Sequence, residues 1–135
     1  MSNQEPITIT ALDHTVSQCK KCSLSKSRSR TVPGEGNYDA QVMLIGEAPG
    51  FNEDKTGRPF AGRAGNLLNE LLDSVGIKRS QIYITNMLKC RPPSNRDPQQ
   101  TEIDSCEPYL ALQISLINPS VIITLGRFSF SKFFP

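Results

Sequence analysis

The chain has 135 residues, of which 37% are hydrophobic and 21% are charged, and its formal net charge at pH 7 is +2. This length is enough for one domain with a real core, and this composition excludes an intrinsically disordered chain. No apolar run approaches the ~20 residues of a membrane span, and the N-terminal MSNQEPITIT lacks the basic flank and apolar core of a secretory signal. We therefore expect a single domain, residues 1–135, that is cytoplasmic and not bound to a membrane.

Strand-like and helix-like patterns alternate along the chain. A short helix is predicted first, over residues 8–18, and a Ser-, Pro- and Gly-rich surface segment without regular structure follows, over residues 23–40. Short apolar runs bounded by turn residues then predict three buried strands, at residues 41–47, 81–89 and 120–126. The segment between the first two strands begins with a long loop, residues 48–65, and loops of this length are usually functional.

Helical spacing of apolar residues predicts three further helices, at residues 66–77, 97–119 and 127–134. In the first of them Gly76 is a plausible C-cap, and in the second the apolar positions from Ile103 to Ile117 share one face. Since strands alternate with helices, the sequence predicts an α/β fold with a mostly parallel central sheet. The chain stops at Pro135 directly after an apolar segment, so we expect that it is cut short and that later strands are missing.

Cations are clustered although the net charge is small. Five of them lie between residues 18 and 34 without any acid, and eight lie between residues 55 and 96 against only Glu70 and Asp73. Such clustering suits a polyanion such as nucleic acid, and it is equally typical of an ordinary solvated face.

The four cysteines form a chelating pattern. Cys19 and Cys22 are a C-x2-C pair, Cys90 opens a proline-rich loop, and Cys106 lies in a predicted helix. Four thiolates suit zinc or an iron–sulfur cluster, whereas a redox pair leaves two cysteines without a purpose and a disulfide is unusual in the cytosol. One C-x2-C pair with two separated cysteines favours a cluster over zinc. Cations near the cysteines would offset the negative charge of the cluster: Lys20, Lys21, Lys89 and Arg91.

Five sequence blocks, in order, resemble the family 4 uracil-DNA glycosylases: CxxC, GEAPG, GRPFAGRAG, TNMLKCRPPSNRDP and CEPYL. These are bacterial and archaeal enzymes of base excision DNA repair that carry a [4Fe–4S] cluster. The resemblance extends from Cys19 to the C-terminus. It implies a three-layer α/β/α fold, hydrolysis of the N-glycosidic bond of uracil in DNA, and a [4Fe–4S] cluster bound by Cys19, Cys22, Cys90 and Cys106.

The resemblance also implies a role for individual residues around a flipped base. Glu47 and Ala48 would lie beside the uracil and the scissile bond, and Phe60 would stack on the base. The amide of Asn86 would read the uracil edge, because an amide offers both a donor and an acceptor. Without the resemblance, Phe60 is a core residue and Asn86 a cap or turn. The remaining implied positions are Asn95, near the site as a further catalytic residue, and Arg91 and Arg96, toward DNA phosphate.

Two departures from the family pattern bear on activity. Ala48 stands where a related branch has an aspartate that positions water, which leaves Glu47 as the candidate. The family's later His-Pro motif is not in this sequence, whose one histidine, His14, is expected at the surface. We therefore expect weak or no activity from this fragment. The expected partner is uracil-containing DNA bound by a monomer, and the alternative is a non-catalytic iron–sulfur or zinc module that binds nucleic acid.

Overall fold

The structure is a computed structural model, and it describes residues 8–135. Within them, there are five α-helices and four β-strands. From the second strand onward strands and helices alternate, with two helices between the second and third strands. Their bounds are α1 Ile9–Ser17, β1 Glu35–Gly36, β2 Val42–Gly46, α2 Phe51–Thr56, α3 Arg63–Ser74, β3 Tyr83–Asn86, α4 Gln100–Ile117, β4 Val121–Thr124 and α5 Arg127–Phe133. Short 3-10 turns occupy Ser23–Lys26, Arg79–Gln81 and Pro93–Asn95.

The four strands form one sheet in the order β1-β3-β2-β4. Strand β2 is parallel to both of its neighbours, whereas the two-residue β1 is antiparallel to β3. The parallel register places Gly46 opposite Asn86, so that the carboxyl ends of β2 and β3 coincide at one edge. The predicted α/β fold with a mostly parallel sheet is confirmed.

Alternate residues of the strands face opposite layers of helices. Met43 and Ile45 of β2 belong to a core cluster that includes Leu110 of α4, whereas Leu44 and Ile84 pack with Leu68 of α3. This alternation follows from the two-residue period of a strand. Helices on both faces give the three-layer arrangement.

Helix α1 packs mainly on α4, and its first residue Ile9 also joins the core cluster that contains Met43. Leu12 and Val16 are buried against Tyr109 in a separate small cluster. The helix begins where the Thr8 hydroxyl accepts a hydrogen bond from the Ala11 N–H at 3.1 Å, as an N-cap serine or threonine does. The position of α1 brings Cys19, two residues after its last residue Ser17, to the side of α4 that carries Cys106.

Two elements differ from the sequence-based predictions. Strand β1 lies in the segment 23–40, which we predicted to be irregular. It was missed because a two-residue edge strand shows no alternation of apolar and polar residues. Helix α2 lies in the segment 48–65, which we predicted to be a loop. This six-residue helix has two acids in its first turn, Glu53 and Asp54, and their negative charge complements the helix dipole.

The apolar pattern of α3 is only partly explained by its packing. Leu68 is buried, as expected, but Leu67, Leu71 and Val75 are 57%, 57% and 67% exposed. The predicted C-terminal signal holds, because Gly76, with φ of 73°, directly follows the C-cap residue Val75.

In the described part of the chain, no helix combines the length and the apolar character needed to cross a membrane.

Candidate functional site

A cavity of about 350 Å³ opens at the carboxyl ends of β2 and β3. Ligands of open α/β sheets bind at this edge, and the volume falls in the usual range for small-molecule sites. The walls come from the loop after β2, helix α2, the start of α3 and the end of β3. The residues that line it are Gly46, Glu47, Ala48, Gly50, Phe51, Asn52, Glu53, Phe60, Gly62, Arg63, Ala64, Gly65, Asn86, Asn95 and Leu125.

All five residues that the resemblance places at or near the base line this one cavity: Glu47, Ala48, Phe60, Asn86 and Asn95. They come from positions spread over 49 residues of sequence, so only the fold brings them together. Asn86 is 3% exposed, and it is the last residue of a central strand, which makes it the most rigidly placed member of the group.

Phe60 occupies a backbone conformation that is unusual for a large side chain, with φ of 50°. A Cβ atom at Gly46 would be 2.6 Å from Cζ of its ring and 2.4 Å from Oδ1 of Asn86. A Cβ atom at Gly65 would be 1.8 Å from the Phe60 carbonyl oxygen. Glycine is therefore required at both positions for Phe60 to lie where it does.

Glu53 is a site residue that the sequence analysis missed. Its Oε1 accepts a hydrogen bond from the Gly50 N–H at 2.9 Å, and its Oε2 accepts one from the Ala61 N–H at 3.0 Å. One carboxylate thus connects the loop after β2 to the loop that follows Phe60, and both loops contribute residues to the cavity. Its sequence signal was an acid three residues after a glycine, which is the spacing of a helix N-cap.

Glu47 lies beside the backbone that enters α5. A Cβ atom at Gly126 would be 2.6 Å from Glu47 Oε1, so the carboxylate uses the space that this glycine leaves. Gly126 has φ of 97°, which also favours glycine. Glu47 is partly buried at the cavity wall, and it is an ionisable side chain next to the position of Ala48.

The two arginines predicted to contact phosphate have different surroundings. Arg91 Nε donates to Asn95 Oδ1 at 2.7 Å, and its guanidinium lies 5.5 Å from the centre of the Phe51 ring. Arg91 therefore forms part of the cavity rim. Arg96 instead donates two hydrogen bonds to Glu102, at 2.8 and 2.7 Å. The Glu102 side chain is 2% exposed, so the charge of Arg96 is already neutralised within the protein, and its contact with DNA stays an untested prediction.

The four cysteines converge on one region between α1 and α4. Cys90 and Cys106 are buried, and Cys19 and Cys22 are partly buried. Burial raises the pKa of Cys106 above its ordinary value, and the neighbouring Cys22 and Cys19 raise it further. Thiols in such surroundings stay protonated unless a cationic centre binds them.

Cys90 has one specific partner, the guanidinium of Arg28. Nη1 of Arg28 donates to the Cys90 sulfur at 3.0 Å, from 62 residues away in the sequence. Burial raises the pKa of the Cys90 thiol to about 11, and the arginine opposes this rise. Arg28 was counted in a basic stretch but not predicted beside a cysteine, since no local pattern signals that contact.

The four sulfurs are not packed around a single point. Among residues 8–135, no three Cys, His, Asp or Glu side chains are grouped closely enough to hold one metal ion.

Lys89, predicted to offset cluster charge, is fully buried beside the strand that ends at Asn86. Its Nζ donates to Thr85 Oγ1 at 2.6 Å, to the Asn86 carbonyl at 2.7 Å and to Gln113 Oε1 at 2.7 Å. Burial lowers the pKa of Lys89 to about 7, and Cys106 opposes the shift. The lysine thus joins β3 to α4 between the cavity and the cysteines. Lys21 lies instead over the Tyr109 ring, 4.4 Å from its centre, and His14 is exposed, as expected.

Comparison with known proteins agrees with this arrangement. The sequence profile of the uracil DNA glycosylase superfamily matches residues 33–135. A type-4 uracil-DNA glycosylase of Sulfurisphaera tokodaii is 55% identical over 115 residues, which cover 84% of this chain and 52% of that protein. A type-4 enzyme of Thermotoga maritima is 51% identical over 118 residues, which cover 87% and 62%.

A type-5 uracil-DNA glycosylase of Thermus thermophilus is less similar, at 32% identity over 114 residues, which cover 73% of this chain and 52% of that protein. The chain spans about half the length of the curated relatives it matches. The higher identity to the type-4 proteins confirms the resemblance to family 4. With a profile match over most of its length and a cavity at the matching motifs, the chain belongs to the uracil DNA glycosylase superfamily.

Proposed function

We propose that the protein hydrolyses the N-glycosidic bond between uracil and deoxyribose in DNA. The observation that carries this proposal is the convergence of Glu47, Ala48, Phe60, Asn86 and Asn95 on one cavity of about 350 Å³. The type-4 names of the relatives support the same activity. A non-catalytic nucleic-acid-binding module is not favoured, because these relatives are named as glycosylases.

Recognition of the base begins with its removal from the helix. A base within a duplex cannot reach a cavity of this kind, so the nucleotide must be flipped out or already single-stranded. The Phe60 ring then provides a stacking surface, and the Asn86 amide, at the end of a rigid strand, reads the donor and acceptor groups of the uracil edge. Asn86 and the Phe60 ring both adjoin Gly46, so both contacts are made within one small volume.

Bond cleavage requires stabilisation of the departing uracil anion and a water molecule for the sugar carbon. Hydrogen-bond donors directed at the uracil oxygens stabilise the charge that develops there. Glu47 is the ionisable group beside Ala48, and we assign to it the orientation of the attacking water. Asn95 also lines the cavity, and its Oδ1 accepts a hydrogen bond from Arg91 Nε.

The cofactor is part of the proposal. Cys19, Cys22, Cys90 and Cys106 would hold a [4Fe–4S] cluster, which when bound cross-links α1, the loop after β3 and α4. Two features of these residues fit it: four free thiols in one region, and an N–H donor from Arg28 to a ligand sulfur. The same segment carries Asn86 and Cys90, so ligation would stabilise the wall of the base cavity.

Chemical analysis tests the cofactor independently of activity. Protein purified without oxygen should be brown, with broad absorption near ~400 nm, and should contain iron and acid-labile sulfide. Cys→Ser at any of the four positions should lower both contents and the stability, because loss of a ligand is loss of folding energy. A colourless protein with stoichiometric zinc would show that the cluster assignment is wrong.

Substitutions in the cavity test the activity. In the protein as its gene encodes it, Phe60→Ala and Asn86→Ala should each slow uracil release from a single-stranded oligonucleotide, and loss of the stack should cost about 1–3 kcal/mol. Tyr38→Ala, at an exposed aromatic residue outside the cavity, is the control. Wild-type rates in both cavity variants would show that Phe60 and Asn86 are ordinary structural residues. Cytoplasmic location and a monomeric state remain part of the proposal.

A further inference from the structure

Arg79 makes the densest set of contacts of any side chain near the base cavity, although it does not line it. Its Nη2 donates to the Pro59 carbonyl at 2.6 Å and to Glu35 Oε1 at 2.8 Å. Its Nη1 donates to the Phe60 carbonyl at 3.0 Å and to Asn69 Oδ1 at 3.2 Å. The guanidinium therefore binds the carbonyl of the peptide before the Phe60 Cα atom and that of the peptide after it.

Phe60 needs such support, because its backbone is in the left-handed region, where φ is 50°. A residue of this size is strained there, and the conformation persists only where surrounding contacts fix it. Gly65 allows the Phe60 carbonyl to approach α3 closely, but a glycine only permits this position. The Ala61 N–H of the following peptide is bound by Glu53, and the hydrogen bonds from Arg79 hold the two successive carbonyls of Pro59 and Phe60.

Glu35 fixes Arg79 from the other side. It lies in the two-residue strand β1, where it pairs with Ile84 of β3, so its backbone is anchored to the central sheet. Its carboxylate also accepts two hydrogen bonds from Arg58, both at 3.0 Å. The side chains of Arg79 and Glu35 are 21% and 29% exposed, so the pair is largely shielded from solvent.

The charge state of Glu35 is consistent with this role. Burial alone would raise the pKa of Glu35, but the hydrogen bonds from Arg58 and Arg79 lower it below its ordinary value. The carboxylate is therefore ionised at neutral pH. The short edge strand β1 therefore carries Glu35, the residue that fixes Arg79 beside the loop of Phe60.

We infer that Arg79, held in place by Glu35, is a positioning residue that fixes the Phe60 ring at the depth in the cavity where it stacks on the base. The inference rests on the proposed function, since it takes uracil as the base. It assigns no contact between Arg79 and the substrate. Arg79 acts through the backbone of Pro59 and Phe60.

The experiment compares two substitutions that share Glu35 as partner. Arg79→Gln removes the contacts to the carbonyl oxygens, whereas Arg58→Gln removes an exposed arginine that binds Glu35 and no loop carbonyl. Each protein is prepared with 4-fluorophenylalanine, and the Phe60 resonance is assigned with Phe60→Leu. Steady-state kinetics on a single-stranded uracil oligonucleotide are measured alongside the fluorine spectrum.

We expect Arg79→Gln to shift or broaden the Phe60 fluorine resonance and to lower kcat/KM by about tenfold to a hundredfold, as small misplacements of a contact group do. Arg58→Gln should leave both readouts near those of the wild type. Arg79→Lys, which keeps the charge without the planar fork, should also perturb the Phe60 resonance. It serves as the test if Arg79→Gln does not fold.

An unchanged Phe60 resonance in both Arg79 variants would overturn the inference, whatever the kinetics. So would an equal effect of Arg58→Gln, because the carbonyl contacts would then be irrelevant. If the wild type releases no uracil, the proposed function fails. The fluorine comparison still decides whether Arg79 positions Phe60.

Discussion

The Phe60 ring packs against Gly46 so closely that a Cβ atom there would be 2.6 Å from Cζ of the ring. The same Cβ atom would be 2.4 Å from Oδ1 of Asn86. Gly46 is therefore the point at which the stacking ring and the base-reading amide share a boundary. The cavity requires glycine at position 46, because the methyl group of alanine would conflict with both side chains.

Substitution of Gly46 by alanine should abolish most of the activity without unfolding the protein. The backbone of Gly46 is not in the left-handed region, so alanine brings steric conflict with Phe60 and Asn86 but no conformational strain. We expect a fall in kcat/KM of about a hundredfold, because two contact groups must move together. Thermal unfolding and uracil-release kinetics measure the two effects separately.

Gly76→Asn is the control, since this glycine has φ of 73° with open space around it and asparagine tolerates such a conformation. It should leave the kinetics unchanged. Normal activity of Gly46→Ala would mean that the cavity floor is more adaptable than the packing indicates.

Arg28 should tune the proposed cluster through its hydrogen bond to the Cys90 sulfur. A cationic donor stabilises negative charge on a ligand, so Arg28→Gln should disfavour the reduced cluster. We expect the reduction potential to fall by about 50 mV, the one-electron equivalent of roughly 1 kcal/mol. Redox titration followed by electron paramagnetic resonance gives the potential.

The control for Arg28 is Arg30→Gln, at an exposed arginine two residues further along the chain. Its potential should match that of the wild type. A rise in potential for Arg28→Gln, or an equal fall for both variants, would contradict a specific effect of the hydrogen bond.

Substitution of Arg96 should affect mainly stability, whereas substitution of Arg91 should affect mainly DNA binding. Arg96→Gln leaves the buried carboxylate of Glu102 without its ion pair, so we expect the free energy of unfolding to fall. Arg91→Gln should leave stability almost unchanged and weaken binding to DNA, with a smaller dependence of affinity on salt. Urea unfolding and salt-dependent anisotropy titrations distinguish them. A salt slope that falls for Arg96→Gln and not for Arg91→Gln would reverse the two assignments.

Asp13 should make stability depend on pH. Its Oδ1 is buried without a hydrogen-bond partner among the described residues, and burial raises the pKa to about 6 although Lys89 opposes the shift. The ordinary value is about 3.9, so the folded state binds the proton more tightly and stability falls as pH rises from about 4 to 6. Asp13→Asn removes this loss. Relative to the wild type, it should gain about 1 kcal/mol between pH 4 and pH 7, a figure that allows for solvent screening of this half-buried group.

Melting temperatures of both proteins at pH 4 and pH 7 measure this difference, with Asp73→Asn in α3 as an exposed control. If the difference between Asp13→Asn and the wild type is the same at both pH values, folding does not raise the pKa of Asp13.

Features with a local sequence signal could be predicted. The second predicted strand, the helix that carries Cys106 and the C-x2-C pair all follow from apolar period, turn residues and spacing, although the strand is Tyr83–Asn86 and not the predicted 81–89. The resemblance to family 4 then gave residues that the fold places around one cavity. No local pattern alone would have joined Glu47 to Asn95.

Features that depend on tertiary contacts could not be predicted. Strand β1 is too short to show a period, and the contact of Glu35 with Arg79 spans 44 residues. The burial of Lys89 contradicts the usual exposure of lysine and becomes possible only with three acceptors around its Nζ. Pairing of Arg96 with Glu102 likewise arises from the way the loop folds onto the start of α4.

Release of free uracil from DNA is the most direct test of the proposed activity. The protein as its gene encodes it is incubated with an oligonucleotide that contains one uracil, and free base is measured by chromatography while alkali reveals abasic sites. We predict equal amounts of uracil and abasic sites, at a rate strongly reduced by Asn86→Ala, and neither product from the same sequence with thymine. A folded wild-type protein that binds this oligonucleotide but releases no uracil would contradict the proposal.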